Sequence, residues 1–497
     1  MAALTALSRT AARVRQPAVA RLGALFLAAS VPVLLLHVDY QPHVSLDLGG
    51  TDASFKLSDL AVLALAAAAV AVLVRDGVGS LRPVAVVLAP AAALLVWICV
   101  GLVVGAASDR SYAGAAHLVT AAGFAEYALI AVAVPVLVRS TAALQLVLWT
   151  LVGWLAVLDV VGLAQFAGAG DTAAGGRQPA WIGYHDFAAA GATTLAIGLV
   201  AVALGEGRWP VGRLREAACA VGAIGLVLSG SVGGALGLVA AAALLVAVAA
   251  VLRSLTARRL VAVATIVLAT VIGVVALRGG DLAQFGRFVG VLEAQETTSE
   301  DVQTYSHRTL LGYFGLRVFA DQPVAGAGWQ ATQEFATLEP YLDDAHDRFP
   351  DVAAQAFPSL AEPYGIQNAY VQALADLGLV GLALFLAALA IPIAIGARAA
   401  LRRASPGPAL AGAAVVLACA GAWTAQGLVA GLPLDALTWF GIGLVAASLA
   451  SPRSIEPGSI ELGSKPGPVR EGHARGQSPD VSRNDLSGVR ARTLRDG

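Results

Sequence analysis

One hydrophilic stretch in an otherwise apolar chain gathers the side chains that could act on a charged substrate. Between residues 278 and 367 lie thirteen carboxylates from Asp281 to Glu362, five arginines (Arg278, Arg287, Arg308, Arg317 and Arg348) and two histidines, His307 and His346. Arginine presents forked donors that fit two oxygens of a phosphate. Histidine or glutamate can take a proton from a hydroxyl when its surroundings poise it near the working pH. These side chains make the stretch the place where the chain's chemistry is expected. The plain alternative is a solvated lid whose charges face water. The acidic run Glu339–Asp351 could attract a cation, but its carboxylates lack a recognisable metal spacing. No metal and no cofactor is expected.

These side chains need elements to hold them. Thr304–Asp321 carries Leu310, Leu311, Phe314, Val318 and Phe319 at helical spacing, which predicts an amphipathic helix with Arg308 near its start. Such a helix suits a membrane surface. Pro323 closes it, and Gly326 and Gly328 beyond allow tight turns or close approach of backbone to a ligand.

The rest of the chain is bilayer material. Of its 497 residues 58% are hydrophobic and 13% charged, against about 45–50% and about 25% in soluble domains. Apolar runs fall near 18–37, 57–74, 83–106, 113–138, 142–166, 184–205, 213–230, 232–253, 258–277, 368–397, 407–430 and 434–450. In lipid each backbone polar group must be satisfied within its own segment, so each run is expected to be a helix. The expected fold class is all-α: a polytopic bundle of about 12 transmembrane helices with one large extracytoplasmic loop. Residues 1–277 form an N-terminal membrane bundle of nine spans, 278–367 the loop, 368–450 spans ten to twelve, and 451–497 a disordered tail rich in Pro, Gly, Ser and Arg. Alternate connections carry Arg75, Arg82, Arg139, Arg208, Arg213, Arg215, Arg253, Arg258, Arg259, Arg398, Arg402 and Arg403; the opposite set carries Lys56, Arg110 and Arg177. The positive-inside rule places the first set and both termini in the cytoplasm of a plasma-membrane protein. Membrane lipids are partners on this reading. A net charge of −1 gives no ground for a nucleic-acid partner. Cys99, Cys219 and Cys419 sit within apolar runs and read as small buried side chains.

Several ordered motifs then resemble a known family. Ser229-Gly-Ser-Val-Gly-Gly-Ala-Leu236 is similar to its Ser-x-Ser-Arg-Gly-x-x-Leu element. His307-Arg308 through Gly328 is similar to its arginine-bearing helix followed by Pro-hydrophobic-x-Gly-x-Gly. The run from Gln367-Asn368 to Gly381 is similar to its His-Asn-x9-Gly-x-x-Gly element, and Gly175 to Tyr184 is a fainter echo of another loop. Together these resemble the O-antigen ligase and Wzy-type polymerase superfamily, over roughly residues 170–400. The resemblance implies a cell-envelope glycosyltransferase of polysaccharide biosynthesis. Its donor is a polyprenyl-pyrophosphate-linked glycan, its acceptor a hydroxyl of a glycan or lipid on the outer face, and the reaction is metal-independent.

Val232 stands where that family has arginine, and Gln367 where it has histidine. On this reading Arg308, Arg177, Gln367, Asn368, Gly326 and Gly328 bind substrate. Glu362, His346 and His307 are the candidate bases, with His185 and Asp186 as further ionisable neighbours. Two other readings remain: a polysaccharide or lipid transporter of flippase type, whose mid-membrane candidates are His117, Glu126 and Asp159, or a non-catalytic glycan-assembly scaffold.

Overall fold

The computed structural model describes residues 22–47, 52–108, 112–169, 176–205, 213–279, 304–402, 406–424 and 436–450, together with Val291. The tail 451–497, the first 21 residues and loop residues 280–290 and 292–303, Arg287 among them, lie outside the described residues.

The bundle helices are α1 (Leu22–Leu34), α2 (Leu57–Asp76), α3 (Ala85–Ser108), α4 (Gly114–Leu137), α5 (Thr141–Phe166), α6 (Tyr184–Leu204), α7 (Leu214–Ser229), α8 (Val232–Val251) and α9 (Ala257–Leu277). In the hydrophilic stretch follow α10 (Thr304–Asp321), the short α11 (Phe335–Leu338) and α12 (Leu342–Arg348), and then the bundle resumes with α13 (Ala369–Arg402), α14 (Gly407–Thr424) and α15 (Ala436–Ala450). The protein is thus an all-α, multi-pass membrane bundle. Among the described residues eight helices are long and apolar enough to cross a membrane; α1, α14 and α15 are apolar but shorter, and α7 has 16 residues.

Small residues set the packing. A Cβ on Gly191 of α6 would fall 2.6 Å from the backbone nitrogen of Leu226, and one on Gly222 of α7 would fall 2.4 Å from that of Leu195. These two helices can touch backbone to backbone only because neither carries a side chain there, the usual device where lipid offers no hydrophobic drive between helices. Helix α6 is buried along nearly its whole length. Cys419 is buried beside Thr193, whereas Cys99 is exposed on the outside of α3, so the expected burial fails for that cysteine. The bundle's apolar exterior is where lipid would lie, and a thiol is apolar enough to face it.

Helix α13 is broken at Gly378 (φ 68°, ψ −170°). The break frees backbone groups, and the segment after α10 takes them up. Ala327 N–H donates to the Ala375 carbonyl and Gly328 N–H to that of Asp376, both at 2.9 Å; Leu379 N–H donates to the Pro323 carbonyl at 2.9 Å. Trp97 of α3 donates its indole N–H to the Leu377 carbonyl, also at 2.9 Å. The buried Asp376 carboxylate accepts from Thr332 N–H at 2.9 Å and from the Gln372 amide at 3.1 Å. His117 of α4, a candidate mid-membrane ionisable residue, meets Glu334 at 2.6 Å. Residues 323–334 are therefore fastened into the mouth of the bundle by hydrogen bonds rather than laid over it.

The expected helix Thr304–Asp321 is present with those bounds. Its apolar face, however, is spent on protein: Leu310, Leu311 and Phe314 are fully buried, and Leu310 and Phe314 belong to a small core that includes Leu338 and Ile366. Two short antiparallel strands, β1 (His43–Asp47) and β2 (Asp52–Lys56), precede α2.

Candidate functional site

Four of the sequence-selected residues meet where α10 crosses the start of α13. Asn368 caps α13: its side-chain oxygen accepts from the N–H of Tyr370 and of Val371, both at 3.0 Å. That cap is what a helix start asks of asparagine, and it fixes Gln367 just outside the helix. Arg308, in the first turns of α10, donates its Nε–H to Gln367 Oε1 at 3.4 Å. The approach of the two helices depends on Gly315, where a Cβ would strike Val371 at 2.6 Å.

His307 precedes Arg308 and is half-buried. Its ring meets Tyr364 edge to face, with centroids 4.8 Å apart, and its Nε2 is buried with no hydrogen-bond partner among the described residues. Burial, and then the neighbouring Arg308 charge, push the His307 pKa below its ordinary value, so the imidazole is neutral near neutral pH with a nitrogen to spare. Tyr364 adopts a left-handed backbone (φ 38°). It donates its hydroxyl proton to the exposed Glu362 carboxylate, and that bond raises the Tyr364 pKa. Glu362 thus bonds Tyr364, whose ring, not its hydroxyl, touches His307.

His346 is elsewhere. It is exposed on α12 and stacks on Phe357 at 3.9 Å, and none of its contacts reaches Arg308, Gln367 or His307. Gly326 and Gly328 approach protein backbone: a Cβ on Gly326 (φ 73°) would lie 2.3 Å from the Asp376 carbonyl carbon, and one on Gly328 (φ 121°) 2.6 Å from Gly105 Cα.

A second basic group sits at the turn between α7 and α8. Arg177 lies with its guanidinium 4.3 Å from the centre of the Tyr184 ring. Its stem is so close to Gly230 that an added Cβ would be 3.0 Å from Arg177 Cγ. The Arg177 strand is held by Gln178 N–H donating to the Leu228 carbonyl at 3.0 Å and by Gln165 bonding Ala180. Arg278, which ends α9, packs against the same Gly230, with its Cδ 3.3 Å from that position. Sequence reasoning did not single out Arg278; its place as the first charged residue after an apolar run was the available signal. Val232 begins α8 two residues after Gly230, with Ser231 as its cap. The position is apolar, and the two arginine stems lie alongside the turn before it.

The two groups share one end of the bundle. Tyr370, next but one to Asn368, donates its hydroxyl to the Ala420 carbonyl at 3.4 Å. Trp423, one turn further along α14, meets His185 with ring centroids 6.1 Å apart. The His185 ring meets the Tyr184 ring at a tilt, with centroids 4.1 Å apart, and the Arg177 guanidinium lies over Tyr184. The arrangement offers guanidinium groups, a neutral imidazole and carboxamides around the mouths of α6, α8 and α13.

The chain has no match among curated proteins. The O-antigen ligase family model matches residues 217–386, a range that takes in Val232, Arg278, His307, Arg308, Glu362, Gln367 and the break in α13 and leaves Arg177 outside. That match agrees with the ordered motifs: over residues 217–386 this membrane protein is similar to the O-antigen ligase family.

Proposed function

We propose that the protein transfers a saccharide from a polyprenyl-pyrophosphate carrier to an acceptor hydroxyl on the outer face of the membrane, as an envelope glycan ligase or polymerase. The observation that carries this reading is the contact of Arg308 with Gln367 at 3.4 Å beside a neutral, half-buried His307, inside a segment of a glycan-assembly family. His307 Nε2 takes the acceptor's hydroxyl proton. The acceptor oxygen bonds to the anomeric carbon as the bond from that carbon to the phosphate oxygen breaks. The carrier leaves as its pyrophosphate, whose added charge falls to Arg308, with Arg177 and Arg278 as the second cationic group. Guanidinium forks in a site shielded from bulk water suit such a leaving group. Gln367 cannot titrate near neutral pH; its amide orients Arg308 or a substrate oxygen. Arg177 and Arg278 beside Gly230 supply the charge that Val232 lacks.

On this reading residues 278–367 face outward and both termini lie in the cytoplasm, as the arginine asymmetry supports. The break in α13 and the buried Asp159, whose carboxylate oxygens have no partner among the described residues, favour a transporter by their type. The break, however, is filled by residues 323–328, whose backbone takes up its hydrogen bonds. Cells lacking the protein should accumulate the lipid-linked donor on the outer leaflet. Accumulation on the inner leaflet would mark a flippase instead, and no accumulation a scaffold.

A further inference from the structure

A cleft of about 1140 Å3 opens between α5, α6, α7 and α9, running from Leu228, near the Gly230 turn, to Arg215 at the other end of α7. Its inner wall is apolar: Ile224, Val227, Leu228, Ile266, Ala269 and Thr270 line it. The Thr270 hydroxyl is already donated to the Ile266 carbonyl at 2.8 Å, so this wall asks for hydrocarbon. Its rim is charged, with Arg215, Glu216, Arg258 and Arg259. Arg259 is turned to the carbonyls of Ser254 and Leu204 at the ends of α8 and α6. Arg215 bonds Glu216 through Nε at 2.9 Å. Arg258 is exposed and makes no ion pair with a described residue. The rim therefore carries an excess of positive charge over a slot larger than the ~300–1,000 Å3 of small-molecule pockets.

We propose that this cleft binds an anionic phospholipid, its acyl chain along the α7–α9 wall and its phosphate between Arg215 and Arg258. Hydrocarbon wall and basic rim are the two halves of such a lipid, and the guanidinium fork matches a phosphodiester. A zwitterionic lipid would bring its own ammonium to a rim already in positive excess. Arg215 and Ser229 stand at opposite ends of α7, about 20 Å apart at ~1.5 Å per residue. The phosphate here is thus in the leaflet opposite the one near Gly230, and the occupant is distinct from the glycan donor. The inference does not rest on the glycan-transfer reading.

The test is native mass spectrometry of the full chain offered equal phosphatidylglycerol and phosphatidylcholine. The wild-type protein should retain phosphatidylglycerol in preference. Arg258→Ala, an exposed change that leaves the fold alone, should cut that preference about fivefold. Ala223→Trp, which fills the cleft, should remove the retained lipid of either kind. Equal retention of both lipids by the wild type, or an unchanged preference in Arg258→Ala, overturns the site; the Arg258→Ala result decides even if Ala223→Trp does not fold.

Discussion

Arg308 Nε lies 3.4 Å from Gln367 Oε1 across 59 residues of chain. This contact joins the arginine-bearing helix to the cap of α13, the two places where the motifs concentrate. A guanidinium held this way keeps one edge in a fixed direction, and its planar fork is the donor geometry that suits a phosphate.

Arg308→Ala is therefore expected to lower transfer about 10²–10³-fold, the usual cost of losing one preorganised donor to a developing anion. Arg308→Lys should also be impaired, because lysine keeps the charge and loses the fork. Glycan output in cells at matched protein level reads both. Wild-type output from either variant would take Arg308 out of the site.

His307 gives a pH signature. Its pKa is held below the ordinary 6.5 by burial and by Arg308. The base form grows as pH rises through that lowered pKa, so transfer should rise with pH on the acid side and level off by about pH 6.5. Stability follows the same sign: the unfolded chain binds the extra proton in that window, so acid weakens the fold and the penalty is gone above 6.5. His307→Ala should cost about 10²–10⁴ in rate and remove the acid limb. Glu362→Gln should be milder, since Glu362 bonds Tyr364 and not His307, and His346→Ala should be near wild type.

The glycines of the 323–328 segment test structure against ligand contact. Gly326→Ala puts a Cβ against the Asp376 carbonyl at a left-handed backbone angle. It should cost at least about 2 kcal/mol of stability, read as a lower melting temperature in detergent. An unshifted melt with lost transfer would mean that Gly326 serves a substrate instead.

Much of this was legible beforehand, and the failures have physical causes. Helix α10 was readable because five large apolar residues kept helical spacing, but its partner was not: the same face serves a bilayer or a protein core, and only the fold brings Ile366 and Val371 to it. The hairpin passed unnoticed although His43–Asp47 and Asp52–Lys56 alternate around Gly49 and Gly50, since two five-residue strands are faint beside repeated apolar runs. The break at Gly378 was not legible although Asp376 interrupts the apolar run beside it, because what permits it, backbone donors from residues 327 and 328, is remote in sequence. His117 looked like a lone intramembrane charge for the same reason: Glu334 is 217 residues away. Glu362 is a candidate base by its closeness in sequence to Gln367, but closeness in sequence says nothing about which nitrogen is left unbonded.

Orientation can be settled at two exposed positions. Asp347 in the hydrophilic stretch and Arg258 at the start of α9 are both exposed. With the three native cysteines replaced by alanine, Asp347→Cys should react with an impermeant thiol reagent in intact cells, and Arg258→Cys only after lysis. The reverse pattern would invert the bundle.

The central claim is tested most directly by purified protein, a polyprenyl-pyrophosphate-linked glycan and a hydroxyl acceptor in one vessel, with and without His307. The account predicts acceptor-linked glycan and free polyprenyl pyrophosphate in equal amounts from the wild type, without added metal, and at least about a hundredfold less from His307→Ala. A protein that binds the donor and yields neither product contradicts it.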